Sequence, residues 1–233
     1  MKFKYYRKKI FDRLLRYGLG RFIRMSLLRF WTDRRKVMVL TNLNHNEILL
    51  DGGCGYGINS EEFSSKANWI IGLDIDGNAL FEYRKRLKDK ASCVKASLEY
   101  LPFRRECLSG CILQDALEHT RRPLIVLKQI RTSLKVGGQI IITVPNWYSR
   151  FLVLTPSCIE DHHCFHSSVG WKKLLEKTGF EICMISALAF PIINLPLVLK
   201  NLHFFGLGVF LKAKKHVKAI VKLSKQSNKL LNS

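Results

Sequence analysis

The chain has 233 residues, of which 47% are hydrophobic, 11% aromatic and 24% charged. That is enough apolar material to bury one large core, which excludes disorder, collagen and a disulfide-stapled mini-protein. Its net charge of +21 sits at the ends: residues 1–40 carry 13 Lys/Arg against Asp12 and Asp33, residues 200–233 carry 8 Lys and no acid, and residues 41–199 balance 18 bases with 16 acids.

The first predicted element is a basic amphipathic helix. Phe3, Tyr6, Ile10, Leu14 and Tyr17 recur at helical spacing among seven cations, until Gly18 and Gly20 interrupt it. A second such stretch follows, with Phe22, Leu27, Leu28, Phe30 and Trp31 among further arginines. Two basic arms flanking a nearly neutral body predict a polyanionic partner, an anionic membrane surface or RNA. Residues 1–40 therefore form an arm, 41–212 the folded domain and 213–233 a Lys-rich tail.

From Glu47 the pattern changes. Apolar runs at 48–50, 69–73, 111–113 and 139–144 predict strands, and residues 61–67, 79–90 and 123–134 predict the helices between them. A helix at 169–178 closed by Gly179, a strand at 180–186 and a last strand at 209–212 complete the series. Such alternation predicts a doubly wound, mostly parallel α/β sheet with its ligand site at the carboxyl ends of the strands. The seven cysteines form no C-x-x-C pair, so neither a zinc ribbon nor a disulfide framework is expected, and a reducing, cytoplasmic setting is. No secretory signal is expected, and the apolar stretch 185–199 is broken by Ser186, Pro191, Asn194 and Pro196, which argues against a spanning helix.

Chemistry gathers after the strands. Asp51-Gly52-Gly53-Cys54-Gly55-Tyr56-Gly57 follows the first one, and glycines at 53, 55 and 57 let the backbone pass close beneath a ligand. Ile58 stands where the dinucleotide fingerprint requires its third glycine. Asp74 closes the second strand, where a carboxylate can accept both hydroxyls of a ribose. Asp115, Glu118 and His119 are spaced i, i+3, i+4, which predicts one face of a helix leaving the fourth strand. A second polar cluster spans Glu160 to His166, but Cys158, His162, Cys164 and His166 match no standard zinc spacing.

These motifs resemble the class I S-adenosylmethionine-dependent methyltransferases, with a Rossmann-like seven-strand-type sheet. The resemblance begins at Ile48-Leu49-Leu50-Asp51-Gly52-Gly53-Cys54-Gly55 and continues through Leu101-Pro102-Phe103, Leu117-Glu118-His119, Leu134-Lys135-Val136-Gly137-Gly138 and Val144-Pro145-Asn146. It implies S-adenosylmethionine as cofactor, with Asp51, Gly53, Gly55 and Gly57 around its methionine part, Asp74 on its ribose and Gln114 beside the sulfonium. The chain departs from the family at Ser97, where an Asp usually meets the adenine, and at Leu108-Ser109, where Phe-Asp is usual. Ser97 and the Leu98 amide are expected to take over the adenine contact. His119, Glu118 and His162 are the expected catalytic residues, on the acceptor side. The triplet also resembles the Glu-x-x-Glu-His face of the ubiquinone-biosynthesis O-methyltransferases. No metal is expected, although Asp115, Glu118 and His119 are the candidate ligands if a divalent cation is held. The implied activity is O-methylation of a small or lipid-linked acceptor by an enzyme peripheral to the cytoplasmic membrane face. An RNA methyltransferase using the arms to hold RNA, and a non-catalytic scaffold on the same fold, are the alternatives.

Overall fold

A computed structural model describes residues 44–147, 162–188 and 208–215, together with Val39 and Asn42. The predicted arms, residues 1–40 and most of the tail, lie outside these residues apart from Val39. Seven strands form one sheet: β1 (Asn46–Gly52), β2 (Ala67–Asp74), β3 (Ala91–Lys95), β4 (Leu108–Gln114), β5 (Leu134–Pro145), β6 (Phe180–Leu188) and β7 (Gly208–Lys215). Their spatial order is β3-β2-β1-β4-β5-β7-β6. The first five run parallel, and β7 inserts antiparallel between β5 and β6. The doubly wound, mostly parallel sheet is as expected.

The helices are α1 (Ser60–Phe63), α2 (Gly77–Leu87), α3 (Pro123–Ser133) and α4 (Ser168–Lys177). Each begins or ends for a local reason. The Asp76 side chain accepts the Asn78 amide at the start of α2, proline occupies the first turn of α3, and Ser167 accepts the Gly170 amide before α4. Gly179, at φ +85°, ends α4 as predicted. Val126, Leu127 and Ile130 of α3 and Trp171 and Leu175 of α4 cover one sheet face, built from Leu50, Leu113, Ile140, Ile142 and Leu211. Phe63, Tyr83 and Leu87 cover the other, with Leu49, Ile70, Ile112 and Val39. Alternate residues of each strand thus enter opposite cores, as a parallel sheet with helices on both sides requires.

Four expectations are corrected. The edge strand β3 was not foreseen, because residues 88–90 extend the helical pattern into it and its five residues carry little apolar signal. The helix expected at 61–67 is one turn of α1 followed by a 3₁₀ turn (Ser64–Lys66), and Ala67 already belongs to β2. The last strand runs on through Lys215, whose buried ammonium donates to Leu134 O at 2.7 Å and to Glu106 Oε1 at 3.0 Å, so residues 213–215 belong to the sheet. No helix leaves β4: Asp115 adopts a left-handed φ of +51° and Leu117–His119 form a 3₁₀ turn. Among the described residues no helix is long and apolar enough to cross a membrane.

Candidate active site

Strand order reverses between β1 and its neighbours β2 and β4, and a ligand crevice is expected outside the carboxyl ends at such a switch point. A cavity of about 530 Å³ lies there, lined by Gly53, Asp74, Ser97, Asp115, His119 and Arg121 among others. Of the glycine turn, Gly53 lines the cavity, while Gly57 packs on Tyr83. Gly53, Gly55 and Gly57 all have positive φ, between +51° and +73°. A Cβ on Gly53 would meet Ala116 Cβ at 2.5 Å, whereas one on Gly55 would meet nothing within 4 Å. The first glycine therefore lets the turn pack on the end of β4, and the second leaves bare backbone facing open space.

Asp74 fastens this turn. Its Oδ2 accepts the Gly55 amide at 2.8 Å and its Oδ1 accepts the Asp76 amide at 3.0 Å, while the residue still lines the cavity. Each carboxylate oxygen has a further lone pair for a ribose hydroxyl. Asp51 lies beneath the turn, 4% exposed, and accepts the Ser60 hydroxyl. Burial pushes its carboxyl up to about 6, against the Ser60 hydrogen bond, and the Asp74 charge adds to the rise. Asp51 thus supports the cradle from below rather than lining it.

Ser97 and Leu98, expected beside the adenine, both line the cavity. Ser97 Oγ accepts the Glu99 amide at 3.2 Å and so shapes the loop itself, keeping its hydroxyl proton to donate. At the other departure, Ser109 Oγ accepts the Ile48 amide at 3.4 Å and so joins β4 to β1, while the fully buried Leu108 pairs with Leu134 of β5. Gln114 does not line the cavity, and its Oε1 is buried without a hydrogen bond. The next residue, Asp115, does line it, turned by its left-handed backbone and held by its amide to Thr143 O at 2.9 Å. A non-glycine φ of this kind stores strain and concentrates at functional sites.

The residues expected on the acceptor side come together from two distant stretches. Glu118 O accepts the amides of His163 at 2.8 Å and Cys164 at 3.1 Å, which ties the second polar cluster to the 3₁₀ turn. His162 consequently stands edge-on to His119, with ring centres 4.6 Å apart. The potential ligand atoms of Glu118, His119 and His162 lie within 4.8 Å of one another. The expected catalytic residues are therefore together, but the set differs from the cation face expected at Asp115, Glu118 and His119: His162 replaces Asp115. One buried carboxylate and two imidazoles suit a divalent transition metal, and equally suit a base held in orientation by its neighbours. His166 plays no part, packing at 4.8 Å against Trp171, with burial lowering its pKa. Sequence reading missed Asp115 as a cavity residue in its own right, Glu99, Arg121 and His163. The only signal for the last three was adjacency to motifs already recognised.

The glycine turn, the carboxylate of Asp74 and the switch-point cavity are those of a Rossmann-like ligand-binding fold, and the residues present fit S-adenosylmethionine. Comparison with known proteins agrees. Residues 50–142 match the family model described as "Methyltransferase domain". The ubiquinone biosynthesis O-methyltransferase of Aliivibrio fischeri is 26% identical over 163 residues, 61% of this chain and 68% of that protein. A tRNA U34 carboxymethyltransferase of Vibrio cholerae is 28% identical over 146 residues, 58% of this chain and 45% of that protein. The chain thus spans less than half of the tRNA enzyme. In fold, an S-adenosylmethionine-dependent methyltransferase of Thermotoga maritima superposes with a TM-score of 0.66 at 20% identity, over 89% of this chain and 98% of the other. Residues 50–142 thus carry a methyltransferase domain, and the sequence relatives and the fold support an S-adenosylmethionine-dependent methyltransferase.

Proposed function

We propose that this methyltransferase acts on an oxygen of a small or lipid-linked acceptor, at an anionic membrane surface on the cytoplasmic side. The observation that carries the reading is the cluster of Glu118, His119 and His162 beside the cavity. A hydroxyl acceptor must lose a proton as it gains the methyl group, and a carboxylate acceptor need not. His119, exposed at the cavity wall, takes that proton, and His162 and the buried Glu118 fix its ring. When bound, S-adenosylmethionine supplies the methyl group already activated on a sulfonium, so the chain's task is alignment and proton removal. Should a divalent cation be present, Glu118, His119 and His162 would hold it, and its charge would ease deprotonation of the acceptor.

The membrane part of the reading rests on sequence and chain path. Strand β6 ends at Leu188 and β7 begins at Gly208, which pairs with Leu188 on one side and with Pro145 at the carboxyl end of β5 on the other. Residues 189–207 between them include eleven Ile, Leu, Val or Phe side chains and one charge, Lys200. At about 1 kcal/mol per basic residue near an anionic bilayer, a third of the arm cations contributes roughly 7 kcal/mol, or about five powers of ten in partitioning. The test is sedimentation with vesicles. The protein is expected to pellet with anionic vesicles and less with neutral ones, and glutamine at Lys2, Lys4, Arg7, Lys8 and Lys9 is expected to release much of it. Failure to pellet, together with salt-sensitive RNA binding, would transfer the assignment to an RNA methyltransferase.

A further inference from the structure

Thr120, Arg121 and Arg122 connect the 3₁₀ turn to α3, and the fold treats the two arginines in opposite ways. Glu99 accepts the backbone amides of Arg121 at 2.8 Å and Arg122 at 3.0 Å, and also Arg122 Nε at 2.8 Å. Tyr100 Oη accepts Arg122 Nη2 at 2.7 Å, and the Arg122 guanidinium carbon lies 5.3 Å from the Tyr100 ring centre. The charge of Arg122 is thereby matched by Glu99, whose own carboxyl is held below the usual range, chiefly by the Arg122 hydrogen bond.

Arg121 shares the backbone anchor and nothing more. Its side chain has no hydrogen bond or ion pair among the described residues, yet it lines the cavity beside His119 and His163. Of the other acids, Glu99 is bound by Arg122, Asp74 by the glycine turn and Asp51 by Ser60 below it, and Asp115 lines the same cavity. The cavity therefore presents a guanidinium on a backbone anchored by Glu99, next in sequence to the 3₁₀ turn that carries His119. A bound sulfonium brings a second positive charge into the same space. Two cations facing one cavity repel each other and both attract an anion, and a planar guanidinium offers paired N–H groups that match two adjacent oxygens.

We propose that Arg121 is the specificity determinant for an acceptor that bears an anionic oxygen group, a carboxylate or a phosphate, beside the atom to be methylated. The inference rests on the methyltransferase assignment of the cavity, so binding of S-adenosylhomocysteine to the parent protein is measured first, and its absence would overturn both.

Protein saturated with S-adenosylhomocysteine is then titrated, by fluorine NMR, with 4-fluorobenzoate, 4-fluorophenyl phosphate and the neutral 4-fluorobenzyl alcohol. The parent is compared with Arg121→Gln, Arg121→Lys and Lys128→Gln, the last removing an exposed charge on α3 away from the cavity. The expected result is about tenfold tighter binding of an anionic probe than of the alcohol. That preference should vanish in Arg121→Gln, survive in part in Arg121→Lys and persist in Lys128→Gln, with S-adenosylhomocysteine affinity equal in all four. The better of the two anions identifies carboxylate or phosphate as the recognised group. A preference that is absent from the parent, that persists in Arg121→Gln or that falls equally in Lys128→Gln overturns the proposal. Parallel loss of S-adenosylhomocysteine binding in Arg121→Gln also overturns it, because the arginine would then serve the cofactor.

Discussion

Replacing Asp51 by asparagine should stabilise this protein while weakening its grip on the cofactor. Asp51 is buried beneath the glycine turn, and its carboxyl is raised from 3.8 to about 6, first by burial, with the Ser60 hydrogen bond opposing and the Asp74 charge adding. The folded protein thus binds this proton more tightly than the unfolded chain does. The stability gained is complete below the unfolded value and is lost as pH rises through about 6. Two units correspond to about 3 kcal/mol, the cost of keeping a buried carboxylate ionised at neutral pH. Asparagine still accepts the Ser60 hydroxyl and has no charge to bury. Urea denaturation from about pH 4 to pH 8 is the assay. The Asp51→Asn variant should match the parent near the acid end, exceed it progressively between about pH 4 and pH 6 and level off above that at up to about 3 kcal/mol, while calorimetry finds weaker S-adenosylhomocysteine binding. A stability difference that stays constant across the range would refute the reasoning, since only a shifted titration makes it depend on pH.

Two further outcomes are expected. His119→Ala, and less strongly His162→Ala, should lower turnover by about 10²- to 10⁴-fold with cofactor affinity nearly unchanged, and recovery of chelator-treated enzyme by a divalent cation would assign the cluster to metal binding. Gly53→Ala should cost about 1–2 kcal/mol from its positive φ, with a further loss from the contact at Ala116 that Ala116→Gly relieves, as urea midpoints of the single and double variants would report.

Much of the architecture was legible because apolar runs and turn residues alternate so regularly along residues 47–144. The glycine turn and Asp74 were readable from spacing alone, since the backbone geometry they serve is local. The end of β4 was not. Asp115, Glu118 and His119 have helical spacing, but the left-handed φ at Asp115 and the tight turn after it are imposed by packing of the strand end against Gly53 and Thr143. Asp51 was read as a cofactor ligand because its position in the motif says nothing about depth. Its burial depends on Ser60 and the helix behind it. The partnership of His119 with His162 spans 43 positions and is made by backbone bonds to Glu118 O, which no side-chain pattern reveals. β3 escaped notice because five residues at a sheet edge need little apolar surface.

That single carbonyl of Glu118 has a thermodynamic consequence. Ala116, against which Gly53 packs, is two residues from Glu118, whose oxygen holds the amides of His163 and Cys164. A ligand that adjusts the glycine turn therefore pushes on the same short beam that positions the histidines. Any such coupling is reciprocal, so an acceptor that settles against the histidines changes the hold on the cofactor by the same factor by which the cofactor changes the hold on the acceptor, although no residue need touch both.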